Sequence, residues 1–314
     1  LDGDFDNGII AHEYGHGIST RLTGGASNSG CLSNSEQMGE GWSDWFGLML
    51  TIEPGDLGTD VRGIGTYAIG QPTTGGGIRP APYSTDLTVN NYTYEATNNT
   101  AAISEPHGVG FVWCTMIWDM TWALIDSYGY DADLYNGTGG NNMAMALIIE
   151  SLKLQPCNPG FVDGRDAILQ ADQLLYGGAN QCLIWQVFAA RGLGFSANQG
   201  STNSRTDQTE AFDLPTACQL PTVPPVVSFT FNSNCSGEVI FSDESSNNPN
   251  TWNWDFGDGN TSSIENPTHT YSSSGNYTVV LTSTNDIGSG SNSSTVTITL
   301  PDNPSVSDLN LCEN

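Results

Sequence analysis

Residues 11–17 read A-H-E-Y-G-H-G, and no other stretch constrains the chain as strongly. His12 and His16 are four apart, so a helix through them places both rings on one face, one turn apart. Glu13 lies between them. H-E-x-x-H on a helix offers two imidazoles to Zn²⁺ and a carboxylate as general base for metal-bound water. Zinc held by two histidines needs a third protein ligand and an open position. Residues 38–46 read M-G-E-G-W-S-D-W-F, with Glu40 and Asp44 four apart on a second predicted helix. Glu40 can be the third ligand. Asp44, one turn on, can accept the ring N–H of a zinc histidine and so fix its tautomer. The apolar residues around this pair (Trp42, Trp45, Phe46, Leu48, Met49, Leu50) predict a buried helix, where a carboxylate needs a partner. The bland alternative is two solvated acids on an amphipathic helix.

The run H-E-Y-G-H-G-I-S-T-R-L-T-G-G, followed by M-G-E-G-W-S-D, resembles the fungalysin family of secreted metalloendopeptidases. The resemblance continues through residues 77–86 (G-I-R-P-A-P-Y-S-T-D), 105–113 and 152–172, and covers roughly the first 215 residues. It implies a mainly α-helical, thermolysin-like lobe with two His and one Glu on zinc. It also implies a role for His107, at the start of a predicted helix over 108–128, as hydrogen-bond donor to the developing oxyanion. Such stabilisation contributes about 2.7–4 kcal/mol. A structural hydrogen bond at a helix end is the other reading of His107. Arg79 falls in a region from which such enzymes can hold a substrate carbonyl; a surface or ion-paired arginine is equally open. One departure is plain: no Tyr lies between His16 and Glu40, where thermolysin carries a second oxyanion donor.

Composition narrows the partners. Seven Lys+Arg against 34 Asp+Glu give a formal net charge of −27. With no basic patch to meet phosphates, binding to nucleic acid or anionic membranes is not expected. The balance suits an extracellular protein, secreted or at the cell surface, and a bacterial source is expected. The longest apolar stretch, 111–125, is interrupted by Asp119 and reads as too short to span a bilayer. The chain starts eleven residues before His12. A thermolysin-like enzyme carries an upstream β-rich lobe that forms the other wall of the cleft. The chain therefore reads as a fragment or processed product, with that lobe or a propeptide as a partner.

Along the chain, residues 1–8 (L-D-G-D-F-D-N-G) suggest either a Ca²⁺ loop or a turn. As an EF-hand loop, position six would be Asn7 where Gly is needed, and position twelve would be Glu13. Helices are predicted over 8–22, 38–52, 108–128, 142–155, 163–176 and 183–191, with a long irregular stretch over 53–99 that is expected to line a site. The seven cysteines suggest an oxidising compartment. Cys157 and Cys182 flank one helix and could pair across it. Cys218 and Cys235 bracket a boundary, Cys312 lies in the tail, and Cys31 and Cys114 read as free.

The catalytic lobe is expected over 1–214. A Pro-rich linker follows over 215–225, with four Pro in eleven residues. Beyond it, Ser, Thr, Asn and Val dominate, and alternation over 226–231, 238–241, 277–282 and 295–300 predicts a β-sandwich. W-N-W-D-F-G-D-G at 252–259 and H-T-Y at 269–271 resemble the PKD (polycystic kidney disease) repeat, an immunoglobulin-like module. That resemblance makes His269 structural and places an all-β domain over 226–301, followed by a tail over 302–314. Trp252 and Trp254 share a face by alternation and read as core.

The expected function is a secreted zinc endopeptidase acting on proteins or peptides. His12, His16 and Glu40 hold the metal, Glu13 is the base and His107 the oxyanion donor, and the resemblance implies a preference for a bulky apolar residue after the scissile bond. The rivals are a catalytically silent adhesive or structural surface protein, and an aminopeptidase, which would need an acidic pocket that no motif announces.

Overall fold

The side chain of Asp6 accepts hydrogen bonds from the backbone N–H of Gly8 and Ile9 at 3.0 and 3.3 Å, and this cap starts α1 (Asn7–Leu22). The computed structural model describes residues 3–234 and 236–300. Five further helices follow: α2 (Gly39–Met49), α3 (His107–Tyr128), α4 (Gly140–Leu154), α5 (Phe161–Tyr176) and α6 (Gln181–Ala190). The chain divides into two units, Leu1–Cys218 and Gln219–Asn314, and the division falls inside the Pro-rich stretch.

Helix α3 is the axis of the first unit. Its 22 residues are long and apolar enough to cross a membrane, so the expectation that this stretch is too short is corrected. The most apolar window is nevertheless 89% buried inside the protein, which makes it a core helix. Trp113 is its hub. The ring lies 5.0 Å from Trp42 of α2, 5.2 Å from Phe161 of α5 and 5.9 Å from Phe188 of α6. These are edge-on and stacked geometries that add to the burial of each ring.

Glycines set how closely the first three helices approach. A Cβ on Gly15 of α1 would lie 2.7 Å from Cα of Ser43 in α2, and a Cβ on Gly41 would lie 2.2 Å from the carbonyl oxygen of Gly110 in α3. No larger residue fits either crossing. The contacts bring α1, the first turn of α2 and the N-terminus of α3 together at one point.

The disulfides depart from the sequence expectation. Cys31 pairs with Cys157 and Cys182 with Cys218; Cys114 is free and buried, while Cys235 and Cys312 lie outside the described residues. Cys157 and Cys182 cannot meet because α5 separates them by about 24 Å of helix. Cys31–Cys157 closes 126 residues and Cys182–Cys218 closes 36. In chain-entropy terms the first should contribute about 5 kcal/mol and the second about 4 kcal/mol. Denaturant titration of the full chain should therefore show the larger loss of stability for the Cys31→Ala/Cys157→Ala pair.

One buried acid makes the fold sensitive to pH. Glu36, wholly buried ahead of α2, accepts the Tyr94 hydroxyl at 2.7 Å. Burial pushes its carboxyl up to about 8 from an ordinary 4.5, against the hydrogen bond from Tyr94, with Asp207 and Asp163 adding to the rise. The folded-state value exceeds the unfolded one, so folding favours the neutral acid. Its contribution to stability is complete below about pH 4.5 and is lost as pH rises through about 8. Urea unfolding between these limits should show that loss, and Glu36→Gln should flatten the slope.

The second unit is a sandwich of two antiparallel sheets. β1 (Phe229–Ser233), β2 (Glu238–Asp243) and β5 (Thr268–Thr270) form one sheet in the order β1-β2-β5. The other runs β4 (Thr261–Ser262), β3 (Thr251–Asp255), β6 (Gly275–Asn285), β7 (Gly288–Ile298). Trp254, wholly buried, lies 5.1 Å from Phe229 and 5.2 Å from Phe241 across the interior. Trp252 packs on the same core from the same face, as the two-residue repeat requires. His269 stacks on Phe256 at 4.1 Å and pairs through Nε2 with Asp258 at 2.8 Å, a structural position. Alternation does not disclose β4 and β5, which are two and three residues long.

Candidate metal centre

The N-terminal segment resolves in favour of a turn. Residues 3–5 form a short 3-10 helix, and Asp6 caps α1 through Oδ1 while Oδ2 accepts the backbone N–H of Ala68 at 3.3 Å. Asp6 is thus spent on backbone donors, and Asp2 lies outside the described residues; no calcium site is shown here.

On the following turns, His12 and His16 share one face, their rings edge to face with centroids 4.7 Å apart. The crossing at Gly15 lays α2 against that face and puts Glu40 between the two rings. Nε2 of His12 is 3.3 Å from Oε2 of Glu40, and Nε2 of His16 is 3.5 Å from Oε1. Among the described residues, these three are the one group of His, Cys, Asp or Glu able to hold a metal, with all ligand atoms within 4.8 Å of one another. Ligand atoms about 2.0–2.1 Å from a tetrahedral centre lie about 3.4 Å apart, so the spacing fits zinc. Two imidazoles and one carboxylate also match a catalytic zinc site that keeps one position open.

The surroundings favour a cation. Burial works to lower the pKa of His12, but Asp44 and Glu40 outweigh it and push it up to about 9. Burial likewise opposes the charge on Glu40, yet His12, His107 and His16 hold it below the usual carboxylate range. His16 is lowered by burial and by the neighbouring His12, with Glu40 and Glu13 opposing. The same negative surroundings that favour protonated His12 would favour a bound cation, whose entry would displace that proton.

Asp44 is wholly buried, and its Oδ1 accepts Nδ1–H of His12 at 2.7 Å. That bond fixes the Nδ1 proton, so Nε2, which faces Glu40, is the nitrogen that would take a metal once its own proton leaves. Burial disfavours the charge of Asp44, but His12 and Arg79 more than offset this and lower its pKa. Arg79 bonds to Asp44 through Nε and Nη2, both at 2.7 Å, and reaches Oε2 of Glu40 through Nη2 at 3.2 Å. Its side chain is only 4% exposed. Of the two readings of Arg79, the geometry is that of the ion-paired one.

His107 begins α3 with its side chain 59% exposed and Nε2 3.6 Å from Oε2 of Glu40, on the open side of the site. Glu13 is exposed beside a shallow groove of about 520 Å³ lined by Ile9, Ile10, Tyr14 and Gly17 among others. Sequence reasoning misses Tyr83, whose hydroxyl donates to Oδ2 of Asp44 at 2.6 Å. The only signal is its place in the R-P-A-P-Y segment, which carries no role on its face.

A helix-borne H-E-x-x-H with a glutamate from the next helix at ligand spacing is the arrangement of metallopeptidases of the two-His, one-Glu class. The family model for fungalysin metallopeptidase (M36) matches residues 1–197, and the chain belongs to that family. A PKD domain model matches residues 222–300. The chain is 46% identical over 217 residues to the extracellular metalloproteinase MEP of Neosartorya fischeri, covering 67% of this chain and 33% of that protein. It is 41% identical over 225 residues to extracellular metalloproteinase 2 of Arthroderma gypseum, covering 69% and 34%. The chain thus spans about a third of the length of these relatives. They are fungal, so the expected bacterial source is not supported. The crystal structure of the PKD1 domain of Vibrio anguillarum Epp aligns with 29% identity and a TM-score of 0.24, over 25% of this chain and 98% of that one.

Proposed function

We propose that this chain carries the catalytic site of a zinc endopeptidase that works outside the cell. The observation that carries the reading is the convergence of His12, His16 and Glu40 at ligand spacing beside Glu13. These three residues hold the metal. Zinc, when bound, supplies Lewis acidity and lowers the pKa of a water toward neutrality. Glu13 takes a proton from the attacking water as its oxygen adds to the scissile carbonyl carbon. Glu13 then gives that proton to the leaving amine as the C–N bond breaks. His107, on the open side, donates a hydrogen bond to the oxygen that becomes negative. Asp44 and Arg79 touch no substrate in this scheme. They hold His12 and Glu40 in orientation and are positioning residues. The PKD-type module tethers the enzyme to a polymeric substrate or spaces it from one. In this reading an upstream β-rich lobe supplies the other wall of the substrate cleft, and a propeptide is a further partner.

The test is hydrolysis of an internally quenched, N-terminally blocked peptide by the naturally produced protein, with and without a zinc chelator. Cleavage that the chelator stops and added zinc restores is the expected result. Blocking the N-terminus excludes aminopeptidase action. Stoichiometric zinc with no cleavage, even after the upstream segment is supplied, would leave the silent adhesive protein as the better reading.

A further inference from the structure

The carboxylate of Asp44 has about four acceptor positions, and the structure fills them. Oδ1 takes His12 Nδ1 and Arg79 Nη2, both at 2.7 Å. Oδ2 takes Arg79 Nε at 2.7 Å and the Tyr83 hydroxyl at 2.6 Å. Tyr83 is wholly buried, with its ring centroid 5.3 Å from that of Phe111 in α3. Its backbone exchanges two hydrogen bonds with Arg62, at 2.7 and 3.0 Å.

We propose that Tyr83 is a positioning residue for the metal centre, through which the long connection between α2 and α3 orients Asp44 and, through it, His12. The inference rests on the metal-site reading above. A carboxylate can turn about its last torsion, and Arg79 alone would hold this one by two parallel bonds from a side chain that also reaches Glu40. The Tyr83 hydroxyl secures Oδ2 from a different direction. Remove it, and Oδ2 keeps an empty acceptor position in a dry pocket, so the carboxylate can rotate. Oδ1 then shifts against Nδ1 of His12, which loosens both the tautomer and the aim of Nε2. The sequence makes the support stiff: in R-P-A-P-Y, Pro80 and Pro82 lock two φ angles between Arg79 and Tyr83. The two donors thus approach Asp44 from one short, rigid segment, which the Arg62 pairing fastens to the rest of the connection.

The experiment is zinc affinity of the full chain, measured by competition with a chromophoric chelator, for the unaltered protein, Tyr83→Phe and Tyr94→Phe. The last is the control: Tyr94 is another buried tyrosine bonded to a carboxylate, at 2.7 Å, but to Glu36, which holds no metal. Tyr83→Phe is expected to weaken zinc binding about ten-fold or more, with Tyr94→Phe unchanged. Unchanged affinity in Tyr83→Phe, or equal loss in both variants, would overturn the proposal. An unaltered chain that binds no zinc would overturn the metal-site reading and this inference with it, whereas a zinc-binding parent beside an unaffected Tyr83→Phe overturns this inference alone. A second measurement needs no variant. Zinc should slow hydrogen exchange at the Tyr83 amide, which bonds to the Arg62 carbonyl, more than at the Tyr94 amide, which bonds to that of Arg191. Equal slowing at both also counts against the proposal.

Discussion

Glu13→Gln is expected to slow peptide hydrolysis by about 10²–10⁴-fold, the usual contribution of a positioned general base, while zinc stays bound. The substitution keeps the shape of the side chain and removes only its ability to take a proton. Glu13 is not among the three residues that converge on the metal position, so zinc content by elemental analysis should stay at one per chain. The loss should fall on kcat with KM little altered, because the missing interaction belongs to the transition state. A variant that keeps most of its activity would remove Glu13 from the chemistry. One that loses its zinc would show that the helix had been disturbed instead.

Asp44→Ala is expected to damage both the fold and the site. Its carboxylate accepts all four of the short bonds from His12, Arg79 and Tyr83, and none of these partners can turn to water. Removing one side of a buried ion pair costs about 3–5 kcal/mol, and Arg79 would keep only its longer contact to Glu40 at 3.2 Å. Denaturant unfolding of the metal-free chain should show a loss of that size. Zinc affinity should fall by about 10–100-fold as well, because His12 loses the partner that fixes its tautomer. Asp44→Asn should recover little of either, since the amide keeps the shape but not the charge, and its NH2 meets donors where an oxygen had accepted two bonds. If metal-free Asp44→Ala unfolds like its parent, the network contributes orientation alone.

The parts of this site that are legible in the amino-acid sequence are those written in short-range spacing. His12 and His16, four apart on a helix, must share a face. Glu40 and Asp44 repeat that spacing among large apolar residues, which announces a buried acid in need of a partner. The same logic finds the six helices to within about three residues. It fails where sequence neighbours do not decide the answer. Cys157 and Cys182 look like partners because they flank one helix, yet the helix between them is what keeps them apart. The strands β4 and β5 are too short to show alternation, and they form because longer partners in the sandwich supply the pairing. Arg79 reads two ways because nothing beside it in the chain says whether a carboxylate or a substrate faces it.

By itself, then, the sequence determined the candidate donor set, its register on α1 and α2, and the presence of a separate β-module, because helical and strand periodicities fix which side chains share a face. Only the tertiary structure decided which faces meet. Gly15 against Ser43 and Gly41 against Gly110 let three helices approach closely enough to put Glu40 between His12 and His16, with His107 at the open side. The same packing brought Asp44 onto Arg79 and Tyr83, 35 and 39 residues away along the chain. Contacts at that separation depend on steric fit between elements, and no local pattern of residue types encodes them.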